Sequence, residues 1–331
     1  MKGQVLITGG AGFLGFALGK HLASHDYEVH LVDNLSRGVR DLELQSEISS
    51  GRLVFKELNL LEPESLDQLQ VEYDFVFHLA AIIGVVHVLN RPYQVLTDNV
   101  KLLANMLEYC RKMNKLKRLL FASTSEVYAG TLQNFELPIP TPENTPLAIN
   151  RLEDARTSYM LSKIYGEALC LHSGVPTTIF RPHNVYGPRM GMAHIVPEQL
   201  RKAFEVEEGS LVSVPSADHR RCFLYIDDAV EILRRMMESP ICDGETLNLG
   251  QNSEEVTIEE TVKICCDVVG KKLEIQKVPA TAGSPQRRVP DIQKAIEYLN
   301  YPPKTTLREG VERTFDWYRE NIFNSSDLFA I

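Results

Sequence analysis

Tyr159 and Lys163 stand four residues apart in a stretch with helical periodicity. That spacing puts both side chains on one face of a helix. A tyrosine with its ordinary pKa of about 10 is a poor base at neutral pH. A neighbouring ammonium favours the phenolate and brings the pKa toward a useful range. A hydroxyl-rich turn, Ser123-Thr124-Ser125, closes an apolar run earlier in the chain and ends at Glu126. Together these residues suit a tyrosine working as a general base beside a hydroxyl-rich turn.

A second signature lies in the N-terminal stretch. Val5-Leu6-Ile7-Thr8 runs directly into Gly9-Gly10-Ala11-Gly12-Phe13-Leu14-Gly15, with glycines at G-x-x-G-x-x-G spacing. An apolar β-branched run, a glycine turn and an apolar helical pattern predict a buried parallel strand followed by a helix N-terminus. Gly9 makes the turn, Gly12 admits a pyrophosphate to the backbone, and Gly15 lets the helix pack on the strand. The helix dipole and free N–H groups favour the anion. Asp33 closes the next apolar run, close to the ~20 residues expected for a ribose-binding acid. Its carboxylate accepts from a 2′-hydroxyl and repels a 2′-phosphate, which predicts NAD; Arg37 is the residue that would favour NADP instead. The positive nicotinamide ring would assist ionisation of Tyr159. A P-loop is excluded, because Gly19-Lys20 is followed by His21 and Leu14 stands where its first glycine is needed.

The elements that must position these groups follow in order. Helical patterns are expected over 13–25, 93–112 and 159–173, and strands over 29–33, 53–58, 75–81, 119–123 and 177–181. Strands alternating with helices predict an α/β fold with a right-handed, doubly wound parallel (Rossmann) sheet. Ligands in such sheets bind outside the carboxyl ends of the strands, so Gly9–Gly15, Asp33, Asn59, Ala80-Ala81 and Ser123–Ser125 should line one crevice. Residues 1–184 read as the dinucleotide domain, with 221–240 returning to it. Residues 185–331, richer in Pro and charge, read mainly as a smaller substrate lobe.

With 331 residues, 44% hydrophobic and 24% charged, the chain has an ordinary globular composition. Its net charge of -9 argues against nucleic acid as a partner. The longest apolar run, 75–89, contains His78 and His87 and is too short to cross a bilayer. Six cysteines without C-x-x-C spacing read as reduced thiols, and no metal site is expected. The start Met1-Lys2-Gly3-Gln4 enters the first strand at once, which leaves no room for a signal peptide and predicts a cytoplasmic protein.

The sequence resembles the extended short-chain dehydrogenase/reductases, specifically their nucleotide-sugar epimerase/dehydratase group. The resemblance spans nearly the whole chain. It rests on Thr8–Gly15, Asp33–Gly38, His78-Leu79-Ala80-Ala81, Asp98-Asn99-Val100, Ser123–Tyr128, Tyr159-x-x-x-Lys163, Arg181–Pro188 and Arg221–Asp228. It implies cofactor contacts from Gly9, Gly12, Phe13, Leu14, Asp33, Asn34, Asn59, Leu60, Leu79, Ala80, Ala81, Asn99, Tyr159 and Lys163. Thr124 corresponds to the residue bonding the hydroxyl to be oxidised, Tyr159 to the base, and Lys163 to the group holding the nicotinamide ribose. Ser125, Asn184, Arg221 and Arg288 correspond to substrate contacts, the last three at the diphosphate. The resemblance also implies a homodimer through a four-helix interface built from helices around 99–112 and 160–172. Asn59 replaces the usual Asp, Ala129 the usual Gly, and Cys222 the Asp of an R-D-F-x-Y pattern. His183 stands where an aromatic or small residue is common.

Oxidation at C4 of the sugar of a nucleotide sugar, expected to be a UDP-sugar, is common to the group. An epimerase then returns the hydride to the other face and needs no further acid or base. Dehydratases of the dTDP-glucose type carry Asp-Glu where Ser125-Glu126 stands here. Thr124-Ser125-Glu126 and Gln286-Arg287-Arg288-Val289-Pro290-Asp291 look like the UDP-glucuronate decarboxylases. The sequence reading places C4 epimerisation first, with decarboxylation or dehydration through Glu126 and Arg288 as the alternative. A non-catalytic NAD-binding sensor is a third, disfavoured by the intact Thr124, Tyr159 and Lys163.

Overall fold

The computed structural model describes residues 1–69, 72–280 and 284–324. Seven strands form the central sheet: β1 Gln4–Thr8, β2 Glu28–Asp33, β3 Val54–Glu57, β4 Phe75–His78, β5 Arg118–Ala122, β6 Thr177–Pro182 and β7 Thr246–Leu249. Their order is β7-β6-β5-β4-β1-β2-β3, and every pairing is parallel. The chain runs outward one way from β1 and then crosses back, so a switch point lies between β1 and β4, where such sheets bind ligands.

Alternation along the strands divides the interior in two. Val5 and Ile7 of β1 and Leu120 of β5 join one apolar cluster; Leu6, Leu119 and Phe121 join the other. Four helices cover these faces: α1 Phe13–Ala23, α2 Pro92–Cys110, α3 Ala155–His172 and α4 Ile226–Glu238. Phe16 and Leu22 of α1 pack with Ile232 and Met236 of α4 on the first face. Leu103 and Met106 of α2 pack with Cys170 of α3 on the second. Burial on both faces explains why the strands read as continuous apolar runs.

The expected return of residues 221–240 differs in detail. Leu224–Tyr225 does not enter the main sheet; it pairs with Val185–Tyr186 in a separate two-stranded sheet. The helix after it, α4, does come back onto α1, but the seventh strand is Thr246–Leu249, beside β6. Its short run Thr-Leu-Asn-Leu carries too little pattern to be read as a core strand. The smaller lobe has its own core of Ala203, Val212, Val214, Ile258 and Val262. In it, a three-stranded sheet sets Arg220–Arg221 between Val256–Thr257 and Arg287–Arg288, with Arg288 opposite Arg221. All six cysteines are free and buried. Among the described residues, no helix is long and apolar enough to cross a membrane.

Candidate active site

The glycine turn after β1 takes the form that its spacing predicts. Gly9 has φ 70°, and a Cβ there would stand 2.9 Å from Ala80 N. A side chain would therefore both strain the backbone and push away the loop after β4. A Cβ on Gly15 would overlap the Gly9 carbonyl oxygen. Gly12 is the N-cap of α1, with no side-chain cap and no acid in the first turn, so the helix terminus is free to meet an anion. Asp33, at the end of β2, accepts from Ala11 N at 3.1 Å and Leu35 N at 2.9 Å. Burial raises its pKa, and these backbone bonds act against the rise. The residues fit a dinucleotide: an open helix terminus for the pyrophosphate and a carboxylate with acceptor capacity for a ribose.

The loop after β4 is fixed from below and from the side. Thr8 Oγ1 lies 3.0 Å from His78 Nδ1 and accepts from Ala80 N. Asn99 accepts from Ile82 N at 2.7 Å and donates to Ile82 O and Ser162 Oγ. Its amide is thus spent on holding the Leu79–Ile82 loop and α3 together.

At the end of β5, Thr124 caps a short 3-10 turn by accepting from Glu126 N at 3.2 Å. Tyr159, on α3, shares a hydrogen bond with Thr124 that draws its pKa down, but burial outweighs it and the net shift is upward. Lys163, one turn on, is 4% exposed and donates to Ala122 O at 2.7 Å. Burial lowers its pKa to about 8. The expected helical face thus brings Thr124, Tyr159 and Lys163 together. The ammonium is 6.0 Å from the Tyr159 ring centre and does not depress the phenol in the free protein.

Glu126 and Arg288 form an ion pair at 2.8 Å between the β5 turn and the smaller lobe. Arg288 Nη1 also lies 3.4 Å from Ser125 Oγ. Arg288 is the main reason that the Glu126 pKa is lowered, with Arg156 and Arg221 adding to it. Arg221 is buried and donates to Arg220 O, Ser284 Oγ and Pro285 O. Burial and the adjacent Arg288 lower its pKa to about 10. Two guanidiniums in register across adjacent strands create a strong demand for an anion. Asn184 adopts φ 43°, a left-handed conformation that asparagine tolerates better than most residues, and donates to Cys222 O at 2.9 Å.

An NAD-using family with a base, a hydroxyl partner and a cationic substrate wall is the kind this geometry suits, and comparison with known proteins agrees. Residues 5–250 match the model of the NAD dependent epimerase/dehydratase family. The chain belongs to this family. It is 31% identical to a UDP-N-acetyl-alpha-D-glucosaminuronate decarboxylase of Bacillus cytotoxicus over 97% of this chain and 99% of that one. It is also 31% identical to UDP-glucuronic acid decarboxylase 1 of Arabidopsis thaliana, over 98% of this chain and 72% of that one. Among solved structures it resembles a UDP-glucuronic acid 4-epimerase of Bacillus cereus, with TM-score 0.82, 26% identity and coverage of 96% and 99%. A UDP-glucose 4-epimerase of Thermotoga maritima gives TM-score 0.81, 27% identity and coverage of 96% and 99%. The protein is an NAD-using enzyme of this family.

The remaining residues expected at the cofactor follow β1, β2, β3 and β4. Phe13, Leu14, Leu79, Ala80 and Ala81 are half-buried, and Asn34 is exposed. Asn59 donates to Glu62 Oε1 and accepts from Leu61 N. The Leu60 side chain lies in the core, leaving only main-chain atoms for a ligand. Arg37 does not turn toward Asp33; its Nη1 donates to Ile83 O at 3.0 Å, across the crevice.

Sequence reasoning missed the buried network beneath the substrate wall. Arg181 pairs with Glu167 at 2.6 Å and donates to the Tyr128 hydroxyl at 2.7 Å. Tyr128 OH in turn donates to Asn248 Oδ1 at 3.0 Å. The only signal was a charged residue at the end of an apolar strand, Arg181, with Glu167 on the face of α3 that carries Lys163. Among the described residues, one His-rich group could hold a metal: His21, His25 and Glu231. Arg234 and Arg235 already neutralise its carboxylate.

Proposed function

We propose that this enzyme decarboxylates a UDP-linked hexuronate. The Glu126–Arg288 pair beside Thr124 carries this reading, because an epimerase has no proton to move there and no group to expel. The decarboxylases among its relatives, with the full length of one of them matched, support it over the epimerisation that the sequence reading placed first. In this reading Gly9, Gly12, Phe13, Leu14, Asp33, Asn34, Asn59, Leu79, Ala80 and Ala81 face the cofactor, with Asn99 and Leu60 supporting the groove. Asn184 and Arg221 hold the substrate diphosphate.

Tyr159 takes the proton of the C4 hydroxyl while Thr124 holds its oxygen. NAD, when bound, would supply a reversible hydride acceptor for C4, and Tyr159 gives its proton back to the C4 oxygen at the end, so the overall change is redox-neutral. The C4 ketone lies β to the C6 carboxylate. Arg288 holds that carboxylate, and Glu126, ionised beside it, opposes the second negative charge. The C5–C6 bond breaks, its electron pair moves toward the C4 carbonyl, and carbon dioxide leaves. A proton from solvent then adds at C5.

The test is incubation of the NAD-loaded enzyme with UDP-glucuronate and with UDP-N-acetylglucosaminuronate, followed by mass spectrometry. A product lighter by carbon dioxide is expected. A C4 epimer of unchanged mass overturns the reading in favour of epimerisation, for which the 4-epimerases among the similar structures speak. The protein is further read as a homodimer through α2 and α3, where Tyr93 and Tyr165 are exposed at 77% and 51%. Sedimentation of a monomer-sized particle at micromolar concentration would remove that part.

A further inference from the structure

His183 is a buried residue to which the proposed reaction gives no task. It continues β6 on the face of Ile179 and Arg181, the face covered by α3, and is 1% exposed. Its Nε2 lies 3.1 Å from Asn248 Oδ1. Asn248 uses its Nδ2 to donate to Thr141 O and Asp291 O, so Oδ1 is an acceptor. His183 therefore carries its proton on Nε2, and Nδ1 presents a lone pair. That Nδ1 is one of three buried side-chain polar atoms, among the described residues, without a hydrogen-bond partner. Buried polar atoms are rarely left unpaired, and an exception calls for a reason.

The surroundings supply one. A Cβ on Gly250 would meet Pro290 at 2.6 Å and the His183 Cβ at 3.2 Å, so Gly250 lies between His183 and the segment just after Arg288. Asn248 ties the same segment down through Asp291. Among the described residues Arg288 makes two side-chain contacts, with Glu126 and, at 3.4 Å, Ser125, which leaves donors to spare. We propose that His183 is a positioning residue for Arg288: its Nδ1 accepts a guanidinium N–H when Arg288 turns from Glu126 to a substrate carboxylate. Burial and the nearby Arg288 and Arg181 keep the imidazole neutral, its pKa lowered to about 3, so it accepts from Arg288 rather than repelling it. The structure thus gives Arg288 two anchors, Glu126 in the free enzyme and His183 in the complex. This rests on the reading that Arg288 meets the uronate carboxylate.

The test compares affinities for UDP-glucuronate and UDP-glucose, by calorimetry on NAD-loaded enzyme carrying Tyr159→Phe to suppress turnover. His183→Asn keeps an acceptor near the Nδ1 position and loses the donor to Asn248. His183→Gln keeps a donor near the Nε2 position and displaces the acceptor; His183→Phe removes both. The preference for the uronate should fall about tenfold in the Gln and Phe variants and persist in the Asn variant. Preference kept by Gln and lost by Asn overturns the proposal, leaving His183 as packing around Asn248. Preference unchanged in all three, or absent before any change at His183, also overturns it. Melting temperatures identify a variant that fails to fold, and the Asn–Gln comparison decides if Phe does. Carbon dioxide release by the wild-type enzyme is scored separately, so decarboxylation can fail while the affinity pattern holds, and the reverse.

Discussion

Arg288 Nη2 lies 2.8 Å from Glu126 Oε1 and ties the turn after β5 to the strand Arg287–Arg288 of the smaller lobe. The Glu126 side chain is 44% exposed, so the pair is screened by solvent and adds little stability. Its effect is on chemistry: it holds a carboxylate ionised beside the hydroxyls of Thr124 and Ser125.

Glu126→Gln is nearly isosteric and removes only the charge and acidity. Carbon dioxide release from UDP-glucuronate should fall by roughly 10²-fold or more, with the melting temperature nearly unchanged. An equally active Gln variant would mean that the carboxylate takes no part in the reaction. Arg288→Met should lower kcat for the uronate; a rise in KM alone, for every UDP-sugar, would make it a diphosphate contact.

Cofactor choice follows from Asp33. NADP should bind more weakly than NAD by a few kcal/mol, about 2–3, because its 2′-phosphate meets a half-buried carboxylate. Asp33→Ser should narrow the gap. Arg37 offers no compensation where it stands, since it reaches Ile83 O. Equal calorimetric affinities for the two nucleotides would contradict this account.

The doubly wound sheet was legible because its strands are apolar on both faces and end in glycines, hydroxyls or an acid at the crevice. Thr124, Tyr159 and Lys163 were legible because i,i+4 spacing survives any packing of α3. The strand that closes the sheet was not, since Thr246–Leu249 is only four residues long, and the apolar pair Leu224–Tyr225 joins Val185–Tyr186 outside the main sheet. The partnership of Glu126 with Arg288 was legible only as two separate motifs. Their contact depends on how the smaller lobe closes on β5, for which no local pattern exists. The His183–Asn248–Tyr128–Arg181–Glu167 network lies on β6, β7, α3 and a turn, and long-range polar partnerships of this kind leave little periodic trace.

That network yields a stability prediction. Arg181 and Glu167 side chains are 5% and 7% exposed, and the guanidinium meets both carboxylate oxygens, at 2.8 and 2.6 Å. Removing one partner leaves a buried charge unpaired. Arg181→Met or Glu167→Gln should each cost about 3–5 kcal/mol in urea unfolding, and the two together should cost less than the sum. Additive losses would show that the two side chains do not act as a pair.

Lys163 gives a pH-dependent prediction whose sign is fixed by burial. In the folded NAD-free enzyme its pKa is lowered from 10.5 to about 8. Below pH 8 the lysine is charged in both states, and holding that charge away from water disfavours the fold. Between about pH 8 and 10.5 the unfolded chain binds more protons at this position than the folded one, so its contribution to stability rises with pH. Other buried groups titrate in the same range, so the comparison must be with Lys163→Met, which lacks the proton but fills similar space. The stability of wild type relative to the Met variant should climb through that window and level off above it. A difference that stays flat from pH 7.5 to 10.5, the range set by the two pKa values, would place the Lys163 ammonium in contact with water.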